Sequence, residues 1–318
     1  MILITGGMGF IGSSIAKVLC EIGERVVITM HKNKEIANFL EPYRNKNLFI
    51  EPLDITVFKE VERLLKNFNI KSIIHAAAVY ESTGSLYDAM KVNIIGTINI
   101  LENSRRTNIE KLSIISSEAV YQGIKQRNPL REDQLLYVES DRYIPGTKRA
   151  EENLALLYSR IHQMNIVLIR ASRIYGPLST GFRNPIKLMA EAAVYGNICD
   201  LRDIDEDEGH DNLYVRDCAR GIVLLHLAEK LNYRIYNLGM GKLTTFAEIR
   251  DAVLKISPQT IIHLGKKLGE VTPTKSPLDI EACLDIKRIK EELGFEPEYD
   301  IEKGMKAYVT WIKDKKYI

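Results

Sequence analysis

Along the first half of the chain, short apolar runs alternate with stretches whose apolar positions recur every three or four residues. Ile2–Thr5 is an apolar run ending in glycines, and Ile11–Glu21 follows with helical period until Gly23. Arg25–Thr29 and Leu48–Ile50 read as strands, and Val57–Phe68 has helical spacing. Ser72–His75 predicts a buried strand, about Ser85 to Arg106 a long helix, and Leu112–Ser116 the next strand. Gly146–His162 predicts a helix with Pro145 at its start, where proline's missing amide hydrogen is harmless, and Tyr143 just outside. Ile166–Arg170 is a further strand. Strands alternating with helices imply a parallel sheet covered on both faces by right-handed crossovers.

After Gly176–Pro177 the pattern loosens. Cys199–Asp211, dense in acids, reads as a loop; Asp217–Leu231 is helical and Ile235–Asn237 strand-like. From Gly241 helices and prolines follow without clear alternation. The expected organisation is α/β: a doubly wound parallel sheet formed by 1–176 plus about 213–240, and a small C-terminal lobe formed by about 177–212 plus 241–318.

Composition narrows the classes. The 318 residues are 45% hydrophobic and 27% charged, enough apolar mass for a large core. A formal net charge of +2 gives no bulk field for nucleic acid or an anionic membrane. Cys20, Cys199, Cys218 and Cys283 are far apart, which suits buried free thiols in a reducing cytosol. No apolar run reaches transmembrane length, and the first strand starts at Ile2 without a basic leader. These features lead us to expect a soluble, cytoplasmic protein. No HExxH, Cys/His metal spacing or GxSxG is found, so no metal is expected.

The strongest chemical signal is TGGMGFIG, residues 5–12. Gly6, Gly9 and Gly12 fit G-x-x-G-x-x-G directly after the first strand and opening the first helix, the context of a Rossmann dinucleotide turn. Gly6 permits the tight turn, Gly9 lets the backbone approach a pyrophosphate, and Gly12 lets the helix pack close to the sheet. The helix start, with Phe10 and Ile11, offers free amides and a positive dipole end to the phosphates. The end of strand two normally carries an acid for the ribose hydroxyls. Here it holds Met30, then His31, Lys32 and Lys34, cations that suit a 2′-phosphate and favour NADP over NAD.

The chain resembles the extended short-chain dehydrogenase/reductases, in their NAD-dependent epimerase/dehydratase branch. The resemblance is carried by TGGMGFIG, Leu53-Asp54-Ile55, His75-Ala76-Ala77-Ala78, Asn93 in VNIIGT, SSEAVY (116–121), RASRIYGP (170–177), LYVRDCARGI (213–222), YNLGMGKLTTFAEI (236–249) and LGFEP (293–297). It implies that Asp54 and Ile55 hold the adenine, that Ala76, Ala77 and Ala78 let the cofactor lie against the strand-four loop, and that Asn93 supports the cofactor-side hydrogen bonds. It implies Ser117 as the catalytic Ser/Thr and Lys148 as the lysine bonding the nicotinamide ribose. It implies a homodimer through the long helix, on which Tyr87 and Met90 recur at helical spacing.

Hydride transfer at a carbinol needs a proton moved at its oxygen, and a free phenol near pKa ~10 is a poor base at neutral pH. A nearby ammonium and the positive nicotinamide lower that pKa, so the family sets its tyrosine four residues before the lysine. That position here is Ile144, while Tyr143 stands five before Lys148. Three readings follow: Tyr143 is a relocated acid/base; the proton passes through Ser117, Glu118 or Tyr80; or the chain is a dinucleotide-binding regulator or scaffold without redox chemistry. Glu118 matches one of the two acids that dehydratases carry after the Ser/Thr, and Ala119 replaces the second.

The substrate half departs further. His210 takes the place of an arginine that grips the substrate diphosphate, directly after the carboxylates Asp203, Asp205, Glu206, Asp207 and Glu208. A second family arginine is missing around Val271–Pro277, where Lys275 is the nearby cation. Arg173 replaces a common asparagine and can clamp a carboxylate or phosphate, or pair with a local acid. A sugar, sugar acid or nucleotide sugar is the expected substrate, without nucleic acid or membrane as partner. The reaction is epimerisation, dehydration or reduction.

Overall fold

The computed structural model describes residues 1–31, 35–81, 83–179, 184–266 and 279–315. The first half runs β1 (Ile2–Thr5), α1 (Phe10–Glu21), β2 (Val26–Met30), β3 (Leu48–Pro52), α2 (Phe58–Asn67) and β4 (Ser72–His75). It continues through α3 (Leu86–Ala89), a π-helical segment (Met90–Gly96), α4 (Thr97–Arg106), β5 (Lys111–Ser117), α5 (Tyr143–Ile161) and β6 (Ile166–Ala171). Next come β7 (Arg173–Tyr175), α6 (Pro185–Tyr195), β8 (Cys199–Asp205), β9 (Gly209–His210), β10 (Asn212–Tyr214) and α7 (Val215–Leu227). The chain closes with β11 (Ile235–Leu238), β12 (Thr244–Thr245), α8 (Phe246–Ile256), β13 (Ile262–Gly265), α9 (Lys287–Leu293) and α10 (Ile301–Asp314).

Seven strands form one parallel sheet in the order β11-β6-β5-β4-β1-β2-β3. Successive strand residues face opposite layers. Ile4, Ile28 and Val167 pack with Ile15, Leu19 and Ile222 of α1 and α7. Leu3, Val27 and Leu168 pack on the other face with Leu64 of α2 and Ile100 of α4. This doubly wound α/β sheet is the expected fold class. A separate apolar cluster joins α6, α8 and α10 through Met189, Ile249, Val253, Tyr308 and Ile312. Because every strand of the large sheet runs the same way, the loops after β1, β4, β5 and β6 meet at one edge, where such sheets bind ligands.

Three local expectations are corrected. The stretch from Ser85 to Arg106 is not one regular helix: its middle, Met90–Gly96, is π-helical. Wide turns of this kind gather at functional positions, and this one carries Asn93. Helix α5 begins at Tyr143, with Arg142 as its extended cap, so Tyr143 lies inside the helix and Pro145 is its third residue. The leading amides of a helix have no intrahelical acceptor, so proline is tolerated there as well. Finally, Cys199–Asp211 is mainly strand. In β8, Cys199 and Leu201 are buried while Asp200 and Arg202 are exposed, and β8 pairs in parallel with β13. The charges disguised an alternation of period two.

Candidate active site

The glycine turn is built against its neighbours. Gly6 has φ +68°, and a Cβ there would sit 2.8 Å from the Ala77 backbone. A Cβ on Gly12 would sit 2.3 Å from the Gly6 carbonyl oxygen. The Gly6 amide donates to Thr29 Oγ1 (3.0 Å), and the Gly9 amide to the Gly6 carbonyl (2.9 Å). No side chain caps α1, so its leading amides, at Phe10 and Ile11 among others, remain available to an anion. The backbone thus leaves a cradle that a side chain would fill, and its donors suit a dinucleotide pyrophosphate.

Around the cradle, the Ala76 and Ala77 amides are tied to Thr5, at 3.2 Å to its carbonyl and 3.4 Å to its hydroxyl, and Ala78 continues the same loop. Buried His75 is a structural histidine: its ring nitrogens meet Thr5 Oγ1 (2.6 Å) and Thr97 Oγ1 (3.0 Å). Burial, reinforced by Lys148, pushes its pKa down to about 3. Asp54 accepts from the Thr56 amide (2.9 Å) and hydroxyl (2.7 Å), and His31 stands 3.6 Å from its carboxylate. Burial pushes the Asp54 carboxyl up, but those bonds outweigh it and hold it below its ordinary value. Ile55 is buried, in the space a Cβ on Gly96 would enter. Lys32, Lys34 and the Val271–Pro277 stretch with Lys275 lie outside the described residues.

Asn93 clamps the loop after β4. Its Oδ1 accepts from the Val79 amide (2.8 Å), and its Nδ2 donates to the Val79 carbonyl (3.0 Å) and Thr147 Oγ1 (3.1 Å). Lys148, 3% exposed, donates to the Ile115 carbonyl (2.9 Å) and to Glu151 (2.8 Å). Burial works against its charge, yet Glu151 and Tyr80 outweigh it and hold the ammonium above its ordinary value. Glu151 has no counterpart among the sequence expectations; its i,i+3 spacing from Lys148 was the available signal. The Tyr143 hydroxyl donates to the carbonyls of Gly84 and Tyr80, the latter at 3.3 Å.

At the sheet edge opens a cleft of about 360 Å³. Tyr80, Ser117, Glu118, Arg173 and His210 line it together, with Ile144 at the family's tyrosine position; Tyr143 and Lys148 are not among its lining residues. Ser117 Oγ accepts from the Ala119 amide (3.1 Å) at the end of β5. Arg173 stands 3.6 Å from Glu118, and His210 Nε2 lies 2.9 Å from Glu208. Arg142 and Asp211 also line the cleft and were not foreseen. Arg142 reaches it by pairing with Asp279. Asp211 arrives there by accepting from the amides of Met240 (2.6 Å), Gly241 (3.2 Å) and Leu284 (3.0 Å). Such distant partners leave no mark in local spacing.

Burial pushes the Glu118 carboxyl from 4.5 up to about 8, against the pull of Arg173 and with a further push from Asp211. The folded chain therefore holds a proton that the unfolded chain has released. Stability from this group is full below about 4.5 and declines as pH rises toward about 8. Denaturant midpoints across that window should fall more steeply for the native chain than for Glu118→Gln. Equal slopes would show that Glu118 is not held protonated.

Among the described residues, no cluster of three or more His, Cys, Asp or Glu is placed to hold a metal, and no helix is long and apolar enough to cross a membrane. Residues 3–308 match the family model described as GDP-mannose 4,6 dehydratase. The chain is 28% identical to UDP-glucuronate 4-epimerase of Thermodesulfobacterium geofontis, over 98% of this chain and 96% of that one. It is 25% identical to dTDP-glucose 4,6-dehydratase of Haemophilus influenzae, over 98% and 97%. Its fold matches UDP-glucuronic acid 4-epimerase from Bacillus cereus, solved with UDP-glucuronic acid and NAD, at TM-score 0.82, 23% identity and 99% coverage of both chains. With a glycine cradle, a Ser117-lined cleft and a family match spanning nearly its whole length, this chain belongs to the GDP-mannose 4,6 dehydratase family of extended short-chain dehydrogenase/reductases.

Proposed function

We propose that this chain is an NAD-dependent epimerase or dehydratase that oxidises and re-reduces a hydroxyl carbon of a nucleotide sugar. The observation that carries the reading is that the uncapped α1 cradle, after β1, and the Ser117-lined cleft, after β5, stand at the same edge of the parallel sheet, with Lys148 bonded to the Ile115 carbonyl of β5. When bound, the dinucleotide supplies a hydride acceptor and, in the return step, a donor. The chain's own residues bind and orient. The leading amides of α1, at Phe10 and Ile11, hold the pyrophosphate, Asp54 and Ile55 border the adenine, Ala76–Ala78 leave room along the β4 loop, and Lys148 bonds the ribose. Ser117 holds the reacting oxygen, while Arg173, His210 and Glu118 face the sugar portion. The sheet elements carry the coenzyme, and the 177–212 and 241–318 elements carry the substrate.

NAD is the favoured coenzyme. The Bacillus cereus structure holds it, and the Asp54 carboxylate, 3.6 Å from His31, offsets that side chain as a phosphate ligand. This revises the NADP preference read from Met30-His31-Lys32. Mass spectrometry of the ligand retained on purification, followed by titration with both coenzymes, tests the reading. Binding of neither would overturn it, and tighter NADP would restore the earlier preference. Product analysis by NMR with UDP-glucuronic acid, UDP-glucose and dTDP-glucose then separates epimerase from dehydratase.

A homodimer is part of the same proposal. Leu86, Tyr87, Met90 and Ile95 of the α3–α4 stretch are exposed, Tyr87 by 72%, as are Leu157 and Ile161 of α5. Apolar surface of this kind marks an interaction face. Light scattering should find a dimer that Ile95→Glu converts to monomer; a monomeric native chain would rule it out.

A further inference from the structure

The family's phenol position holds Ile144, 6% exposed and lining the cleft. An alkyl group cannot exchange a proton, so the relay needs another donor. Tyr143 spends its hydroxyl on the carbonyls of Gly84 and Tyr80. Among the described residues lining the cleft, Tyr80 is the sole tyrosine, and Ser117 shares that cleft. Tyr80 as a whole residue is 42% exposed and contributes to the cleft lining. Its loop is latched to α5. The Ile144 amide donates to Glu81 (2.9 Å), Asn93 brackets Val79, and the Tyr80 amide donates to Thr83 Oγ1 (2.9 Å).

We propose that Tyr80, on the loop after β4, supplies the phenol of the proton relay with Ser117 and Lys148, taking over the role that α5 has lost at Ile144. The inference rests on the oxidoreduction proposed above. With the dinucleotide bound, the ionised Tyr80 oxygen would take the substrate's hydroxyl proton, while the dinucleotide would supply the acceptor for the hydride leaving the same carbon. Both return in the reduction step, so charge and atoms balance over the cycle.

The groups acting on this phenol are Lys148 and Glu151 from α5, Glu81 from its own loop and Cys218 from α7; Glu118 and Arg173 share its cleft. Burial raises the Tyr80 pKa, and Lys148 pulls the other way. In the free protein the phenol is therefore protonated at neutral pH. The positive nicotinamide adds a second pull toward phenolate.

The first test needs no substrate. Ultraviolet difference absorbance should show one tyrosine whose ionisation moves to lower pH when NAD binds. That transition should be lost in Tyr80→Phe, kept in Tyr143→Phe and moved upward by Lys148→Met. Its survival in Tyr80→Phe, its loss in Tyr143→Phe, or no moving tyrosine in an NAD-bound native chain would overturn the assignment. The second test is turnover of UDP-glucose or UDP-glucuronic acid. Tyr80→Phe should lose about 10²- to 10⁴-fold in kcat while still binding NAD, and adding Ile144→Tyr should recover part of the loss. A smaller loss in a folded Tyr80→Phe variant would sink this inference alone. Failure of the native chain to bind either coenzyme would sink the functional reading itself.

Discussion

Replacing Glu152 by alanine is expected to destabilise the fold by about 3–5 kcal/mol, because it strands a buried cation. Arg170 is 2% exposed. Its Nε donates to Glu152 Oε1 (2.9 Å), its Nη2 to Oε2 (2.7 Å), and its Nη1 to the Tyr121 hydroxyl (2.8 Å). Tyr121 donates onward to Asn237 Oδ1 (2.8 Å), and Ser116 donates to Glu152 (2.6 Å). The network joins β5, β6, β11 and α5, the first and last of which also carry Ser117 and Lys148. Removing the carboxylate leaves the guanidinium without its bidentate partner in a site water does not reach. Urea unfolding measures the loss. Glu152→Met with Arg170→Met removes both charges, so the pair should recover much of it. A Glu152→Ala loss below about 1 kcal/mol, the range of exposed pairs, would show the network is not load-carrying.

The second large effect concerns the dinucleotide. Gly12→Ala should weaken NAD binding about ten- to hundred-fold, from strain of about 1–3 kcal/mol at the cradle. The added Cβ would meet the Gly6 carbonyl at 2.3 Å and the Gly7 Cα at 2.8 Å. Both are main-chain atoms, so relief requires the turn to leave the helix and carry its amides away from the phosphates. Gly23→Ala is the control: its φ is +85°, and nothing lies within 4 Å of a Cβ there. It should lower stability without touching affinity. Calorimetry on both variants separates contact from backbone strain, and unchanged NAD affinity in Gly12→Ala would contradict the cradle.

Legibility varied with the range of the interactions. The parallel sheet was readable because each strand is a short apolar run bounded by helical periodicity, and both signals are local. The cradle was readable because Gly6, Gly9 and Gly12 do their work within a few residues of one another. Strand β8 was hidden, since Asp200, Arg202 and Asp205 outweighed the buried Cys199 and Leu201 in any compositional reading. The start of α5 was misplaced by giving Pro145 the first helical position, when the third is equally free of an acceptor.

By itself the order of residues determined the fold class, the tight glycine turn and the family, and it exposed the anomaly of Ile144 before Lys148. Those properties depend on periodicity and on contacts between near neighbours. Which tyrosine lines the cleft with Ser117, which carboxylate neutralises Lys148 and which acid faces Arg173 were decided only when the β4 loop, α5 and the 209–212 segment met at the sheet edge. Tyr80 and Ser117 are separated by 37 positions in the chain, and no spacing rule relates them. Side-chain partnership across such distances is set by the packing of whole elements, and that is a property of the folded sheet.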